Sequence, residues 1–366
     1  MYLQTLKIRK FRNITRADIA CNQAINIITG VNGSGKTSVL EAISLLSYGR
    51  SFRSKLFDSV IQVEQEYLSV FARLNQENDE GLSGVTSLGV YLSKRRQKVM
   101  HLDRKKCLSA AMLARVLPVK VIASHCFSLL DQGPKERRKY FDWLTFYLRP
   151  DFAVLWRQYS RYLEQRNSLL KRHRIADAEL YVWDKKLIEL NLVLQQIREE
   201  TFTQLLPVVL EMATVFGIDE QLSLQLFHGW PASKNLEDCF RESLDKDRFY
   251  GRTTQGAHRF DFIIRHGHLL ARDKLSRGQK KVLIYLLHIA QVVLLERSYQ
   301  IKCVFLLDDL MSELDDAFSR LMCQSLSELA NQIFITTTDW QDLIRLNIFQ
   351  TSNMKVFHVK HGEINE

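Results

Sequence analysis

The sequence predicts an α/β protein whose main domain is built from both ends of the chain, with a mainly helical insertion between them. Three observations predict it. Apolar, strand-like runs crowd residues 1–125 and return in residues 256–366, and a helical period occupies much of 126–255. A glycine-rich turn follows one N-terminal strand, and an acidic turn follows one C-terminal strand.

Taken in order, Leu3 to Arg9, Ile25 to Thr29 and Leu68 to Arg73 read as strands. The alternating "VTSLGVYLS" (Val85 to Ser93) predicts another, with "QKVMHLD" as its hairpin partner, and "VKVIAS" follows at 119–124. From Lys135 to about Phe216 apolar residues recur three and four apart, which predicts long helices and an antiparallel pair turning near Arg172 to Ala178. The last hundred residues alternate again: strand "FDFIIRH", helix from Gly278, strand "CVFLLDD", helix from Asp315, strand "QIFITTT", a helix, and a terminal strand "KVFHVK".

Composition excludes several classes. Of 366 residues 46% are hydrophobic and 25% charged, so the chain can bury a sizeable core. The longest apolar stretch, Val282 to Leu295, is short for a bilayer and carries His288 and Gln291, so a buried helix and no membrane partner are expected. The N-terminal residues alternate like a strand and lack the apolar core of a signal peptide, which predicts the cytoplasm. Six scattered cysteines without a Cys-x-x-Cys pair predict reduced thiols and no zinc site. Net charge is +10 and segregated: Lys135 to Arg174 hold eleven Lys or Arg against four acids, while Asp308 to Asp316 hold five carboxylates and no base. Such segregation suits a polyanion ligand, or a merely solvated helix face.

The stretch "GVNGSGKTS" carries the chemistry. Gly30-x-x-x-x-Gly35-Lys36-Thr37 is the P-loop pattern, set between an apolar strand and an amphipathic helix. Residues Gly30, Asn32, Gly33, Ser34, Gly35 and Ser38 would wrap backbone N–H groups around phosphates, Lys36 would bring a mobile cation, and Thr37 a hydroxyl for Mg²⁺. In "CVFLLDDLMSELDD" a buried strand delivers two carboxylates: Asp308 to hold Mg²⁺ through water, and Asp309 to orient or deprotonate the attacking water. ATP and Mg²⁺ are therefore the expected cofactors. Lys36, Asp308 and Asp309 are the expected catalytic residues.

"KLSRGQKK" (Lys274 to Lys281) resembles the ABC-type ATPase signature, a Ser hydroxyl and a Gly N–H at a helix start. In that superfamily the signature faces nucleotide held by a second subunit, which implies roles for Ser276, Gly278 and Gln279 across an ATP-dependent homodimer. "SELDD" resembles the superfamily's D-loop, placing Ser312 and Asp315 near the dimer seam. A lone capped helix would explain the signature by itself, but not its order between P-loop and acidic strand.

Beyond these, "LKIRKFRNI", "GRSFRS" (Gly49 to Ser54), "QGPKERRKYFDWL" (Gln132 to Leu144), "GAHRFDF" (Gly256 to Phe262) and "FITTT" make the chain resemble the RecF family of SMC-like bacterial ATPases, nearly end to end. Two stretches depart from the family pattern: Ala257 stands where proline is usual, and "SHCFSLL" replaces an acidic turn. The resemblance implies an ABC-type, SMC-head-like P-loop ATPase domain (1–125 and 256–366) with a helical arm (126–255). It implies an ATP-driven dimer that engages double-stranded DNA near single-strand gaps in replication, DNA damage repair and the SOS response. Weak, DNA-stimulated hydrolysis would release the DNA, and RecO and RecR would act with it to load RecA.

A duplex reader without sequence preference needs cations along the phosphates. The candidates are Arg50, Arg53, Lys94, Arg95, Arg96, Lys98, Arg157, Arg161, Arg166, Lys171, Arg172 and Arg174. Arg137 and Arg138 are read as braces, the tryptophans as core, and His258 as an anchor for its loop or a sensor of nucleotide rather than a metal ligand. A transporter ATPase would not need the basic insertion, and an SMC structural clamp would need a far longer arm than about 130 residues. A small kinase leaves "LSRGQ" idle, and the guanine-reading Asn-Lys-x-Asp of a GTPase is absent.

Overall fold

The computed structural model describes residues 1–54, 56–77, 83–172, 177–218, 221–309, 316–329, 332–345 and 353–366. The first elements are β1 (Tyr2–Phe11), β2 (Ile14–Ala20), β3 (Ile25–Thr29), α1 (Lys36–Tyr48), β4 (Tyr67–Glu77), β5 (Ser83–Ser93), β6 (Lys98–Leu102), β7 (Lys105–Cys107), α2 (Ala110–Val116) and β8 (Val119–Ile122). Next come α3 (Ser128–Asp131), α4 (Pro134–Leu148), α5 (Phe152–Leu170), α6 (Asp177–Val215), β9 (Leu222–Phe227), α7 (Leu236–Glu242), α8 (Leu244–Tyr250), β10 (Asp261–His266), β11 (Leu269–Leu270), α9 (Ala271–Lys274) and α10 (Arg277–Tyr299). The chain ends with β12 (Val304–Leu307), α11 (Asp316–Ser327), β13 (Gln332–Thr337), α12 (Gln341–Arg345), β14 (Met354–Lys360) and β15 (Glu363–Asn365).

One compact unit joins Met1–Cys126 to Leu295–Glu366, and a second comprises Phe127–Leu294. The first unit holds two sheets. An antiparallel sheet runs β2-β1-β4-β5-β6-β7, and a largely parallel one runs β15-β14-β3-β13-β12-β8. Strands β3, β8, β12 and β13 are buried at every residue, as apolar runs covered on both faces must be. Helix α1 packs its Leu40, Ile43 and Leu46 into the same core as Leu3, Leu6 and Leu306.

Strand β2 is absent from the sequence expectations. Its "ITRADIA" buries only Ile14, Ala17 and Ile19, so charge hides the pattern, but it pairs with β1 from Thr5–Ala20 to Phe11–Ile14. The two-residue turn between them, Arg12-Asn13, has Arg12 at φ 54, the positive backbone that short hairpin turns require.

The second unit is built on α5 and α6, whose contacts pair Arg166 with Asp184 and Trp156 with Arg198, so the two run antiparallel. The 39 residues of α6 extend about 58 Å. Helices α4 and α5 are separate because Pro150 disfavours helix at Arg149, the C-cap of α4. The anticipated second domain boundary at 255/256 also differs. Residues 256–294 belong to the second unit because β10 pairs with β9 and β11, in a sheet separate from the parallel one. Helix α10 has a window apolar enough to cross a bilayer, mean hydropathy 1.4, but 72% of that window is buried in the protein.

His258 sits in this unit as an anchor. Its Nδ1 accepts from the Tyr159 hydroxyl at 2.7 Å while its Nε2 donates to the Thr253 carbonyl at 3.0 Å, an assignment that leaves the ring neutral. Burial pushes its pKa down to about 4. Between pH 6.5 and 4 the unfolded chain therefore binds this proton and the folded chain does not, so stability falls as pH falls through that window. Urea titrations of wild type and His258→Gln should diverge there by roughly 1 kcal/mol per pH unit, with the variant shallower; equal slopes would remove His258 as the source.

Candidate nucleotide site and its surroundings

Parallel order places the site. Strand β13 lies between β3 and β12, with Thr337 opposite Thr29 and Ile335 opposite Leu307. Three neighbouring strands thus deliver the P-loop, Thr336 and Asp308 to one carboxyl edge. There a cavity of about 360 Å³ is lined by Asn13, Asn32, Gly33, Gly35, Lys36, Thr37, Ser38, Arg53, Asp308, Asp309 and Thr336.

The hairpin turn before the P-loop holds it. Asn13 Nδ2 donates to the Ser34 carbonyl at 2.8 Å, and Ser38 Oγ donates to Asn13 Oδ1 at 3.1 Å. Gly35 stands at φ 118, and a Cβ there would lie 2.8 Å from the Asn13 amide, so only glycine fits. The turn after β14 closes from the other side: the Gly362 N–H donates to the Ser34 carbonyl at 3.0 Å. A Cβ on Gly362 would lie 2.0 Å from the Asn13 carbonyl oxygen.

Lys36 Nζ donates to the carbonyls of Gly30 at 2.6 Å and Val31 at 3.2 Å, both within the loop. Burial lowers its pKa, and Asp309 and Asp308 pull it back up. Thr37 Oγ1 and Thr336 Oγ1 both donate to Asp308 Oδ1 at 2.8 Å, and the Asp309 N–H donates to Thr336 Oγ1 at 2.8 Å. Asp309 has φ 55, a left-handed conformation uncommon for non-glycine residues and best tolerated by aspartate and asparagine.

Beneath α1 the same turn anchors a second loop. Arg12 grips the fully buried Glu41 through two hydrogen bonds of 3.0 and 2.8 Å, and Ser51 Oγ donates to the same carboxylate. Ser51 Oγ in turn accepts from the backbones of Arg53 and Ser54, both at 2.9 Å, shaping the loop that brings Arg53 to the cavity.

The signature lies at the start of α10. Ser276 and Gln279 form a reciprocal capping box: Ser276 N–H to Gln279 Oε1 at 3.0 Å, and Gln279 N–H to Ser276 Oγ at 3.3 Å. Ser276, Gly278 and Gln279 are exposed, and nothing stands within 4 Å of a Cβ placed on Gly278.

The basic residues divide. Arg50, Arg53, Lys94, Arg95, Arg96, Arg157, Arg161, Lys171 and Arg172 are exposed, Lys94 lying 3.9 Å from Glu66. At 100° per residue Arg157, Arg161, Lys171 and Arg172 fall within roughly a 100° arc of α5 and its cap. Arg166 does not join them. It lies on the opposite side of α5, 0% exposed, bonded to Asp184 at 2.5 Å, Asp247 at 2.6 Å and Thr253 at 2.9 Å, which makes it a buried structural cation rather than a phosphate contact. Lys98 is half-buried and donates to the Gly49 carbonyl at 2.5 Å, closing the end of α1; burial and neighbouring Arg50 lower its pKa. Arg53 lines the nucleotide cavity, a position the sequence did not suggest. Arg174, Ser312 and Asp315 lie outside the described residues.

Asn13 is the site residue that sequence reasoning missed; its signal was "FRNI" between two alternating runs, a hairpin turn. Thr336 stood among three threonines that the sequence could not tell apart.

A P-loop edge with an acidic strand one place removed, on a head closed by both ends of the chain, defines an ABC-type ATPase of the SMC-head kind. The family described as RecF/RecN/SMC N terminal domain matches residues 2–365. The chain is similar to the DNA replication and repair protein RecF of Pseudomonas syringae pv. syringae (strain B728a), 36% identical over all of this chain and 98% of that protein. The RecF of Pseudomonas entomophila (strain L48) is 35% identical with the same coverage. A solved structure of the recombination mediator RecF with ATP, in the RecFOR pathway, superposes with a TM-score of 0.84 at 25% identity, over 100% of this chain and 97% of that one. An Smc head bound to the C-winged helix domain of ScpA shares the fold, TM-score 0.58 at 15% identity, over 100% and 96%. The chain belongs to the RecF family of DNA replication and repair proteins.

Proposed function

We propose that this chain is an ATP-operated DNA switch of recombinational repair and replication, in which two copies close around ATP, engage double-stranded and gapped DNA, and let go after slow, DNA-stimulated hydrolysis. The observation that carries the reading is the convergence of Lys36, Thr37, Asp308, Asp309 and Thr336 on one cavity at the carboxyl edge of three adjacent strands. The donor set fits Mg²⁺·ATP. Thr37 Oγ1 and Asp308 Oδ1 are hard oxygens already 2.8 Å apart, and the P-loop N–H groups and the Lys36 ammonium suit a triphosphate. Bound there, the metal ion would neutralise charge on the β- and γ-phosphates.

The chain's own groups do the rest. Lys36 exchanges its loop carbonyls for phosphate oxygens; Thr336 holds Asp308 and the backbone of Asp309 in place; Asp309 orients the attacking water and accepts its proton. From a second copy, Ser276 and Gly278 cap the γ-phosphate at the start of α10, so hydrolysis removes the group that joins the two copies. Ser312 and Asp315 would line that seam. The exposed arginines and lysines of "GRSFRS", the β5–β6 turn and α5 supply sequence-independent phosphate contacts. RecR, and RecO through it, are the expected partners in loading RecA, and the cytoplasm the expected compartment.

Ser276→Arg tests the composite site. Ser276 is exposed and its side chain only caps α10, a loss of about 1 kcal/mol, so the variant should fold and bind ATP as a monomer, yet fail to form ATP-dependent dimers in sedimentation. Wild-type dimers from the variant would refute the shared pocket.

A further inference from the structure

We propose that Phe249 and Tyr250, at the C-terminal end of α8, form a stacking platform for the bases of an unpaired DNA strand, with Lys171, Arg172 and Arg252 holding its phosphates. The proposal rests on the DNA-binding reading above and assigns a surface to the unpaired strand of the gap.

Phe249 is 83% exposed and Tyr250 53%, and the rings meet edge to face with centroids 5.1 Å apart. Neither ring is needed to end the helix. Gly251 does that, left-handed at φ 59, its N–H donating to the carbonyls of Arg248 and Asp247.

What lies beneath fixes the rings in place. Buried Asp247 accepts from Arg166 and from Thr254, and Arg248 pairs with Asp177 at the start of α6. Gly251 packs on Lys171 closely enough that a Cβ would lie 3.2 Å from Lys171 Cγ. The end of α5, the start of α6 and the end of α8 are therefore fastened together, and two apolar rings are carried into solvent on a rigid base.

Charge selects the occupant. Lys171, Arg172 and Arg252 are exposed, and the Arg252 guanidinium stands 5.7 Å from the Tyr250 ring centroid. Among the described residues none of the three has an ion-pair partner; of the exposed acids nearby, Asp177 is already paired with Arg248 and Asp245 is outnumbered. The cations extend the stripe that starts at Arg157 and Arg161 on α5. A row of cations ending on solvent-exposed aromatic rings matches a single strand, whose backbone follows the charges while its bases stack on the ring faces that Arg252 and the edge-to-face contact leave open. A duplex keeps its bases paired and offers the rings nothing to stack on; an apolar protein surface would have to bury the cations around them.

The test uses the full chain with ATP, a blunt duplex, and the same duplex carrying a single-stranded thymidine overhang, read by fluorescence anisotropy. Wild type should bind the tailed duplex more tightly. Phe249→Ala/Tyr250→Ala should lose at least about fivefold of that advantage, with blunt-duplex affinity unchanged. Phe249→Tyr/Tyr250→Phe, which keeps both rings, should retain it. An overhang bearing 5-iododeoxyuridine should photocross-link to Phe249 or Tyr250. An undiminished tail preference in the alanine variant, cross-links confined to other residues, or equal losses on both substrates would each overturn the platform. So would loss of self-association alone, which would assign the rings to a protein contact. In all of these wild type still binds the blunt duplex and the DNA reading stands; only failure of wild type to bind either substrate would remove both.

Discussion

Asp309→Asn should bind ATP with near wild-type affinity while its turnover falls by about a hundredfold to ten-thousandfold, the range over which a positioned base contributes. The substitution is chosen to leave geometry alone. Asn tolerates the left-handed backbone that Asp309 holds at φ 55, and the N–H bond to Thr336 Oγ1 does not involve the side chain. Only the carboxylate is lost. Steady-state phosphate release measured beside equilibrium nucleotide binding separates the two effects. Turnover within a factor of about three of wild type would exclude Asp309 from proton transfer. Because Thr336 holds both aspartates, the same pair of measurements on Thr336→Val reports how much of the rate depends on their placement.

Arg166→Ala should cost the second unit about 3–5 kcal/mol, the usual loss when one member of a buried ionic cluster is removed. Arg166 and Asp247 are both 0% exposed, and Asp184 stands on the other side of the guanidinium. Burial already pushes the Asp184 carboxyl up against the pull of Arg166, so without the arginine two carboxylates face each other in a poorly solvated space. Urea unfolding of Arg166→Ala and of Arg166→Ala/Asp247→Asn gives the result: the double variant should recover part of the loss. Blunt-duplex affinity per folded molecule should be unchanged by Arg166→Ala and reduced by Arg157→Ala/Arg161→Ala. A stable Arg166→Ala with weakened DNA binding would return the residue to the surface set.

The sequence treated those arginines alike because charge runs were read without phase. Arg166 lies nine residues after Arg157, half a turn out on a helix, and that phase alone separates it. The P-loop and acidic strand were legible for a different reason. Each is a local pattern fixed by chemistry, and the strands before them are buried on both faces, leaving mostly apolar runs such as "INIIT" and "VFLL". Selecting Thr336 required knowing that β13 lies between β3 and β12, a non-local pairing that spacing does not encode. Asn13 was hidden because its partner, Ser34, is met through a backbone carbonyl that any residue would present. The boundary at 294/295 was hidden because β10 reads as a strand without naming its neighbour, and its neighbour is β9.

The latch between Gly362 and Ser34 sets a timetable for synthesis. The P-loop leaves the ribosome well before β14, and β14 must align along β3 before the latch can close. A nascent chain therefore carries the cradle open on one side until β14 and the turn after it have been made and folded home.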